Sequence, residues 1–346
     1  MKNRIISLDL SRGFTVLFIA PIHAMLLFSI PSIRETWIGT IFRFIAEVPG
    51  AQLFMVLMGL SFYLKTRNRF RKVIPKIFIL LFTGYLLNFL KFTLPILLGI
   101  LPKQLITELE ISPGIEGVIQ SLLIGDIFHF AGIALVVLLA LSLVFKNHIL
   151  PFTFGILICF ASPLFWDITS SNPLNNYLLA LVGGKPPLVF FPLLPWLAYP
   201  LTGYVLGYFI KDGCSVQSFM PMGIIFIVIG SLTIQYFLSC TDISFYRTCP
   251  GHCMIHIGIV IVWLGIWEWF ATRIKCNLFF ELLKYLSRHI TLLYIIQWLV
   301  IFFLLPFLGY QKLGKAWAIV VCVLIEINVL ALVFAFNEMW KRRKEV

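Results

Sequence analysis

Apolar residues fall in long blocks separated by short polar or charged stretches. Blocks long enough to cross about 30 Å of hydrocarbon lie at roughly 14–30, 44–64, 73–100, 119–145 and 149–166, then at 188–210, 219–238, 254–272, 290–308 and 316–340. This pattern predicts ten membrane helices. Two interruptions are long: 101–117, with Glu108, Glu110 and Glu116 around Pro113-Gly114, and 170–187, rich in Asn, Pro and Gly. Both read as loops on the outer side. In the sixth block Pro192 and Pro195 predict a helix that starts late or is broken, because proline supplies no N–H to the helical ladder. Gly203 and Gly207 follow at the small-xxx-small spacing that lets two helices approach closely. No hydrophilic stretch is long enough for a separate soluble domain and no internal repeat stands out, so residues 1–346 are expected to form a single transmembrane domain.

Composition sharpens that picture. Of the 346 residues, 60% are hydrophobic and 12% charged, with a mean hydropathy of +0.98; a soluble domain needs roughly twice that charge. The fold class is therefore all-α, a polytopic helical bundle in a lipid bilayer. The net charge of +12 arises from short basic clusters beside apolar runs, which orient a membrane protein rather than bind nucleic acid. With a cytoplasmic N-terminus, nineteen Lys and Arg fall on the cytoplasmic side and eight outside, so both termini are expected in the cytoplasm. The first block follows charged residues without a small-residue cleavage site, the pattern of a retained helix rather than a signal peptide.

Candidate chemistry concentrates on the first helix, in Ser7-Leu8-Asp9-Leu10-Ser11-Arg12-Gly13-Phe14 and on through Pro21 to His23. Eleven residues separate Arg12 from His23, about three helical turns, which puts both on one face roughly 16 Å apart. That span suits a ligand with a charged head and a buried reactive end; the plainer reading is an interfacial anchor and a packing histidine. An ionisable side chain inside hydrocarbon is a functional candidate by default. The fourth helix opens Gly125-Asp126-Ile127-Phe128-His129, a carboxylate and an imidazole three residues apart, with His129 near the expected depth of His23. Glu47 and Gln52 are candidates for a cavity mouth, and Asn88, Gln235, Glu268, Gln297, Glu326 and Asn328 are further intramembrane polar groups. Cys240, Cys249 and Cys253 cluster in one outer loop, which predicts a disulfide among them. Cys249, His252, Cys253 and His256 are too tightly spaced for a closed tetrahedral zinc site, and no metal is expected.

Several of these stretches resemble the transmembrane acyltransferase superfamily, which includes bacterial glycan O-acetylases and the heparan-alpha-glucosaminide N-acetyltransferase family. Arg4 to Gly13 resembles its first-helix signature, and Arg12 and His23 match its arginine-to-histidine spacing. Pro49 to Phe62, Phe128 to Gly132, Phe191 to Gly207 and Leu286 to Trp298, with Thr291-Leu292-Leu293-Tyr294, are similar to later segments. The resemblance implies transfer of an acyl group, acetyl above all, from cytoplasmic acyl-CoA to a hydroxyl or amine of a glycan or amino sugar, at a bacterial cytoplasmic (inner) membrane. By the same resemblance His23 acts as general base or transient acyl carrier and Arg12 helps hold the donor's phosphates; from the residues themselves Asp126 and His129 are further catalytic candidates and Asp9 a donor-binding candidate beside Arg12. Gln297 departs from the pattern, standing where many members carry a histidine. Acceptor identity and oligomeric state are left open. A proton-coupled transporter or flippase using Glu326, Asp126 and His129, or a non-catalytic envelope partner, are the competing readings.

Overall fold

The computed structural model describes residues 5–47, 49–65, 70–144, 149–236 and 244–345. It is 82% helical, and no strand occurs among the described residues, so the chain is an all-α polytopic membrane bundle. The apolar helices are numbered α1 (Ile6–Phe28), α2 (Ala51–Lys65), α3 (Phe70–Asn88), α4 (Ile127–Val144), α5 (Ile149–Ala161), α6 (Ala198–Lys211), α7 (Met220–Tyr236), α8 (Pro250–Arg273), α9 (Ile290–Leu308) and α10 (Lys315–Glu345). Eight described helical runs are long and apolar enough to cross a membrane, whereas α2 and the α5 run are shorter. The ten expected blocks thus resolve into eight full-length candidates and two short apolar helices.

Several boundaries move for identifiable reasons. α1 begins at Ile6, a full two turns before its apolar run, so Asp9 and Arg12 lie within the helix. The expected 44–64 span is cut at Pro49-Gly50: one helix ends at Glu47 and α2 starts at Ala51, as a proline with no N–H for the helical ladder favours. The expected 119–145 span is cut as well, between Ile115–Leu123 and α4. There Gly125 is extended and exchanges backbone bonds with Leu188 (2.8 Å) and Phe190 (2.7 Å). The sixth span does start late, with Leu194 non-helical (φ −108°, ψ 122°) inside the short turn before α6. The amphipathic helix Leu278–Arg288, capped by Asn277 accepting from the Phe280 N–H at 2.9 Å, has no apolar run to announce it.

The chain divides into two compact units, one of Met1–Gly50, Leu90–Glu108 and Phe270–Val346, the other of Ala51–Phe89 and Leu109–Trp269. In the first, α1 packs against the Leu278–Arg288 helix, α9 and α10. Gly13 makes the closest approach: a Cβ there would sit 2.0 Å from the Leu283 carbonyl oxygen. The last carbonyls of α1 lack helical donors and are satisfied from outside. Arg34 Nη2 donates to Leu26 O at 2.6 Å, and the backbone N–H groups of Gln311 and Leu313 donate to Leu27 and Phe28, each at 2.8 Å. Tyr310, in the same connection, donates to Glu108; burial and that contact push its phenol pKa up.

The second unit is built on α2 and α6. Gly203 faces the Val56 carbonyl and Gly59 the Pro200 carbonyl so closely that a Cβ at either would lie 1.8 Å from oxygen; the small-residue spacing serves helix contact as the sequence suggested. Trp196, fully buried, donates its indole N–H to Tyr246 O at 2.9 Å. Arg247 is 2% exposed and ties three connecting segments together, donating to Gly183 O (2.7 Å), Gly184 O (3.0 Å) and Asp167 (3.0 Å).

Candidate active site

One unbroken helix carries Asp9, Arg12 and His23, so the same-face relation of Arg12 and His23 expected from spacing holds through helical geometry. Asp9 is buried and accepts a 2.9 Å hydrogen bond from Ser287 Oγ on the Leu278–Arg288 helix. The Gly13 contact with Leu283 brings that helix close enough to make this bond. Asp9 thus also serves the packing of the first unit, a role the sequence alone did not suggest. Arg12 is half-buried one turn further along.

His23 is half-buried and set among α9 side chains. Trp298 lies against the imidazole, ring centres 4.3 Å apart and planes inclined by 31°. Tyr294 meets it edge-on at 6.2 Å. Gln297, 2% exposed, places Nε2 3.2 Å from His23 Nδ1. An amide nitrogen only donates, so in this orientation Nδ1 accepts and the ring proton sits on Nε2. Turning the amide about its terminal bond substitutes Oε1, which accepts from Nδ1–H and leaves Nε2 unprotonated. The departure at position 297 therefore falls on the residue that sets the tautomer of His23. Lys91 lies beyond Trp298. It sits in a π-helical turn, Phe89–Thr93, within the Phe70–Leu97 run. It is 2% exposed, with Nζ 4.5 Å from the Trp298 ring centre and 4.8 Å from that of Phe92.

In the second unit, Asp126 immediately precedes α4 instead of sharing its face with His129. Asp126 Oδ1 accepts from the Ile127 N–H at 2.7 Å, and the Asp126 N–H donates to His129 Nδ1 at 3.1 Å. That contact fixes the neutral His129 ring as the Nε2–H tautomer. The ring packs on Gly84, where a Cβ would meet it at 2.7 Å, and edge-on against Tyr85 at 4.4 Å. Asn88 Nδ2 donates to Leu122 O (3.0 Å) and Ile124 O (2.6 Å), holding the break before α4. Gln52 is fully buried, away from any surface mouth, and neither of its side-chain polar atoms has a hydrogen-bond partner. The Glu47 side chain lies outside the described residues. Glu268 accepts from Ser215 Oγ at 2.6 Å. Glu326 is half-buried, and Asn328 bonds the Leu324 carbonyl of its own helix at 2.8 Å.

The cysteines divide otherwise than the outer-loop cluster suggested. Cys249 is held in a disulfide, as expected of that loop; Cys240 lies outside the described residues. Cys253 is a free, fully buried thiol whose Sγ lies 3.0 Å from Cys159 Sγ on α5. With Cys249 committed to sulfur, the Cys249–His256 cluster loses a ligand, and no group of three metal-binding side chains occurs among the described residues.

The model of the heparan-alpha-glucosaminide N-acetyltransferase catalytic family matches residues 4–241. That is more than half of the chain, from just before α1 to just beyond α7. The chain belongs to this family. Neither a curated protein nor a solved structure matches it significantly. The N-acetyltransferase match takes in Asp9, Arg12, His23, Lys91, Asp126 and His129. It ends before the Leu278–Arg288 helix and α9, so Ser287, Tyr294, Gln297 and Trp298 lie outside it. Sequence reasoning overlooked Lys91, counting it among the outer-side charges although it interrupts an apolar run. A lone lysine in such a run was the available signal. Trp298 had none, because one tryptophan among nine in an apolar helix looks like lipid-facing bulk.

Proposed function

We propose that this chain is an integral membrane acyltransferase that moves an acetyl group from acetyl-CoA, or another acyl group from its CoA thioester, to an amine or hydroxyl of an amino sugar or glycan. Membership of an N-acetyltransferase family supports the reaction class. The single structural observation that carries the assignment of His23 is the contact of its Nδ1 with Gln297: with the amide turned so that Oε1 accepts from Nδ1–H, Nε2 is left unprotonated for proton transfer. In the reaction the acceptor nitrogen or oxygen attacks the thioester carbonyl carbon while His23 Nε2 removes the acceptor's proton. The tetrahedral adduct collapses, its C–S bond breaks, and the CoA thiolate leaves with the proton returned from the imidazolium. General acid–base assistance of this kind is worth roughly 10² to 10⁴ in rate. Arg12, three turns away on the same helix face, offers planar charge-assisted donors to the donor's phosphates, and Asp9 orients that end through Ser287. His129, with Asp126, is a separate catalytic candidate within the second unit. Its Nε2–H tautomer suits hydrogen-bond donation rather than proton abstraction. In this reading the protein sits in a bacterial cytoplasmic membrane with both termini inside, as the basic-residue bias indicates.

The test is incubation of purified protein with radiolabelled acetyl-CoA and a panel of amino sugars and envelope glycans. Acetylated product supports the reading; substrate translocation by proteoliposomes without covalent change would replace it with the transporter.

A further inference from the structure

A lysine near the end of a membrane helix normally extends its stem so that the ammonium reaches water. Lys91 does the opposite. At 2% exposure its Nζ stays over the rings of Trp298 and Phe92. Burying a cation in hydrocarbon is expensive, and the π-helical turn that carries it is a local distortion of a kind found disproportionately at functional sites. Beside it, the Trp298 indole Nε1 is itself buried and has no hydrogen-bond partner, an arrangement that leaves a donor unsatisfied. The same indole rests against His23. A buried cation, an unused N–H donor and the proposed base are therefore gathered around one aromatic side chain.

Resting on the acyltransferase reading above, we infer that Lys91 Nζ and the Trp298 indole N–H are the donors that stabilise the tetrahedral oxyanion of acyl transfer. When the acceptor adds to the thioester carbonyl, the carbonyl π-electron pair moves onto oxygen. His23 holds the acceptor's proton, and the oxyanion's charge is met by the ammonium and the indole N–H. When the C–S bond breaks, the pair returns to re-form C=O, and Lys91 keeps its protons throughout. Donors of this kind, fixed in a water-poor site, interact with charge that exists only in the transition state, so they raise turnover without tightening ground-state binding.

The test uses full-length protein in detergent or nanodiscs, with Lys91→Met, Lys91→Arg and Trp298→Phe. Loss of one such donor costs roughly a hundred- to a thousand-fold in kcat. Lys91→Met is expected to fall in that range with KM for acetyl-CoA and acceptor within about threefold, and Lys91→Arg to recover much of the loss. Binding supplies a readout that a merely structural lysine would not move. A phosphonate analogue of acetyl-CoA, tetrahedral and anionic at the acyl position, should lose affinity in Lys91→Met in proportion to the loss of kcat, while acetyl-CoA affinity is kept. Wild-type kcat in Lys91→Met, or equal loss of affinity for both ligands, would overturn the inference. So would a rise in KM confined to acidic acceptors, which would make Lys91 a reader of acceptor charge. Absence of acetyl-CoA binding and turnover in the wild type would overturn the acyltransferase reading itself, and the inference with it.

Discussion

Gln297→Leu separates a catalytic arrangement around His23 from ordinary packing. Leucine approximates the volume of glutamine but makes no hydrogen bond, so His23 Nδ1 loses its 3.2 Å partner in surroundings where Gln297 is 2% exposed. A made neutral hydrogen bond contributes about 0.5–1.5 kcal/mol, and a buried group left unsatisfied costs about 1–3 kcal/mol. If that energy is used to hold the ring in its base-competent tautomer, each 1.36 kcal/mol appears as a tenfold loss of rate. The expected loss in kcat is therefore roughly ten- to a hundredfold. Acetyl-CoA affinity should stay within about threefold, because Arg12 lies three turns away. Gln297→His offers a ring nitrogen in place of the amide and should retain most of the activity. The assay is steady-state acetylation of an amino sugar, with calorimetric acetyl-CoA binding on the same preparations. Wild-type kcat in Gln297→Leu, or a loss expressed wholly in donor affinity, would refute the tautomer argument.

Other predictions follow from the same geometry. Gly13→Ala forces its Cβ into the Leu283 carbonyl, and overpacking of this kind costs about 1–3 kcal/mol; a lowered melting temperature in detergent, with weaker acetyl-CoA binding through the disturbed Asp9–Ser287 contact, is the outcome to look for. Arg12→Ala should weaken acetyl-CoA roughly ten- to a hundredfold, the worth of a charge-assisted phosphate contact, with kcat at saturating donor little changed. In non-reducing thiol mapping Cys249 should stay unlabelled, while Cys159 and Cys253 should react only after unfolding; a reactive native Cys249 would contradict the disulfide.

Much of the fold was legible because hydrocarbon imposes a simple rule: every spanning backbone must satisfy its own hydrogen bonds, so apolar runs of membrane length are helices. The rule fails where other forces act. Pro49-Gly50 cuts one block and the Gly125 pairing with Leu188 and Phe190 cuts another; neither interruption is long enough to register as a loss of hydropathy. The Leu278–Arg288 helix escaped because its stability comes from one buried stripe against α1, with Leu283 fully buried, and not from overall apolarity. For the site, the one-face relation of Arg12 and His23 was readable, since helical spacing alone decides it. The surroundings of His23 were not. Gln297, Trp298 and Lys91 come to it from sequence positions that no local pattern connects. Asp126 and His129, three residues apart in the sequence, meet through the Asp126 backbone N–H, because Asp126 lies just before α4 rather than within it.

Single-turnover acetyl transfer by His23→Ala and His23→Asn, measured beside acetyl-CoA affinity, tests the central claim most directly. The account predicts donor binding close to wild type and a rate lower by at least about a hundredfold in both variants, since asparagine keeps hydrogen bonding but not proton transfer. Transfer at the wild-type rate by His23→Ala would contradict it and move the catalytic assignment to His129.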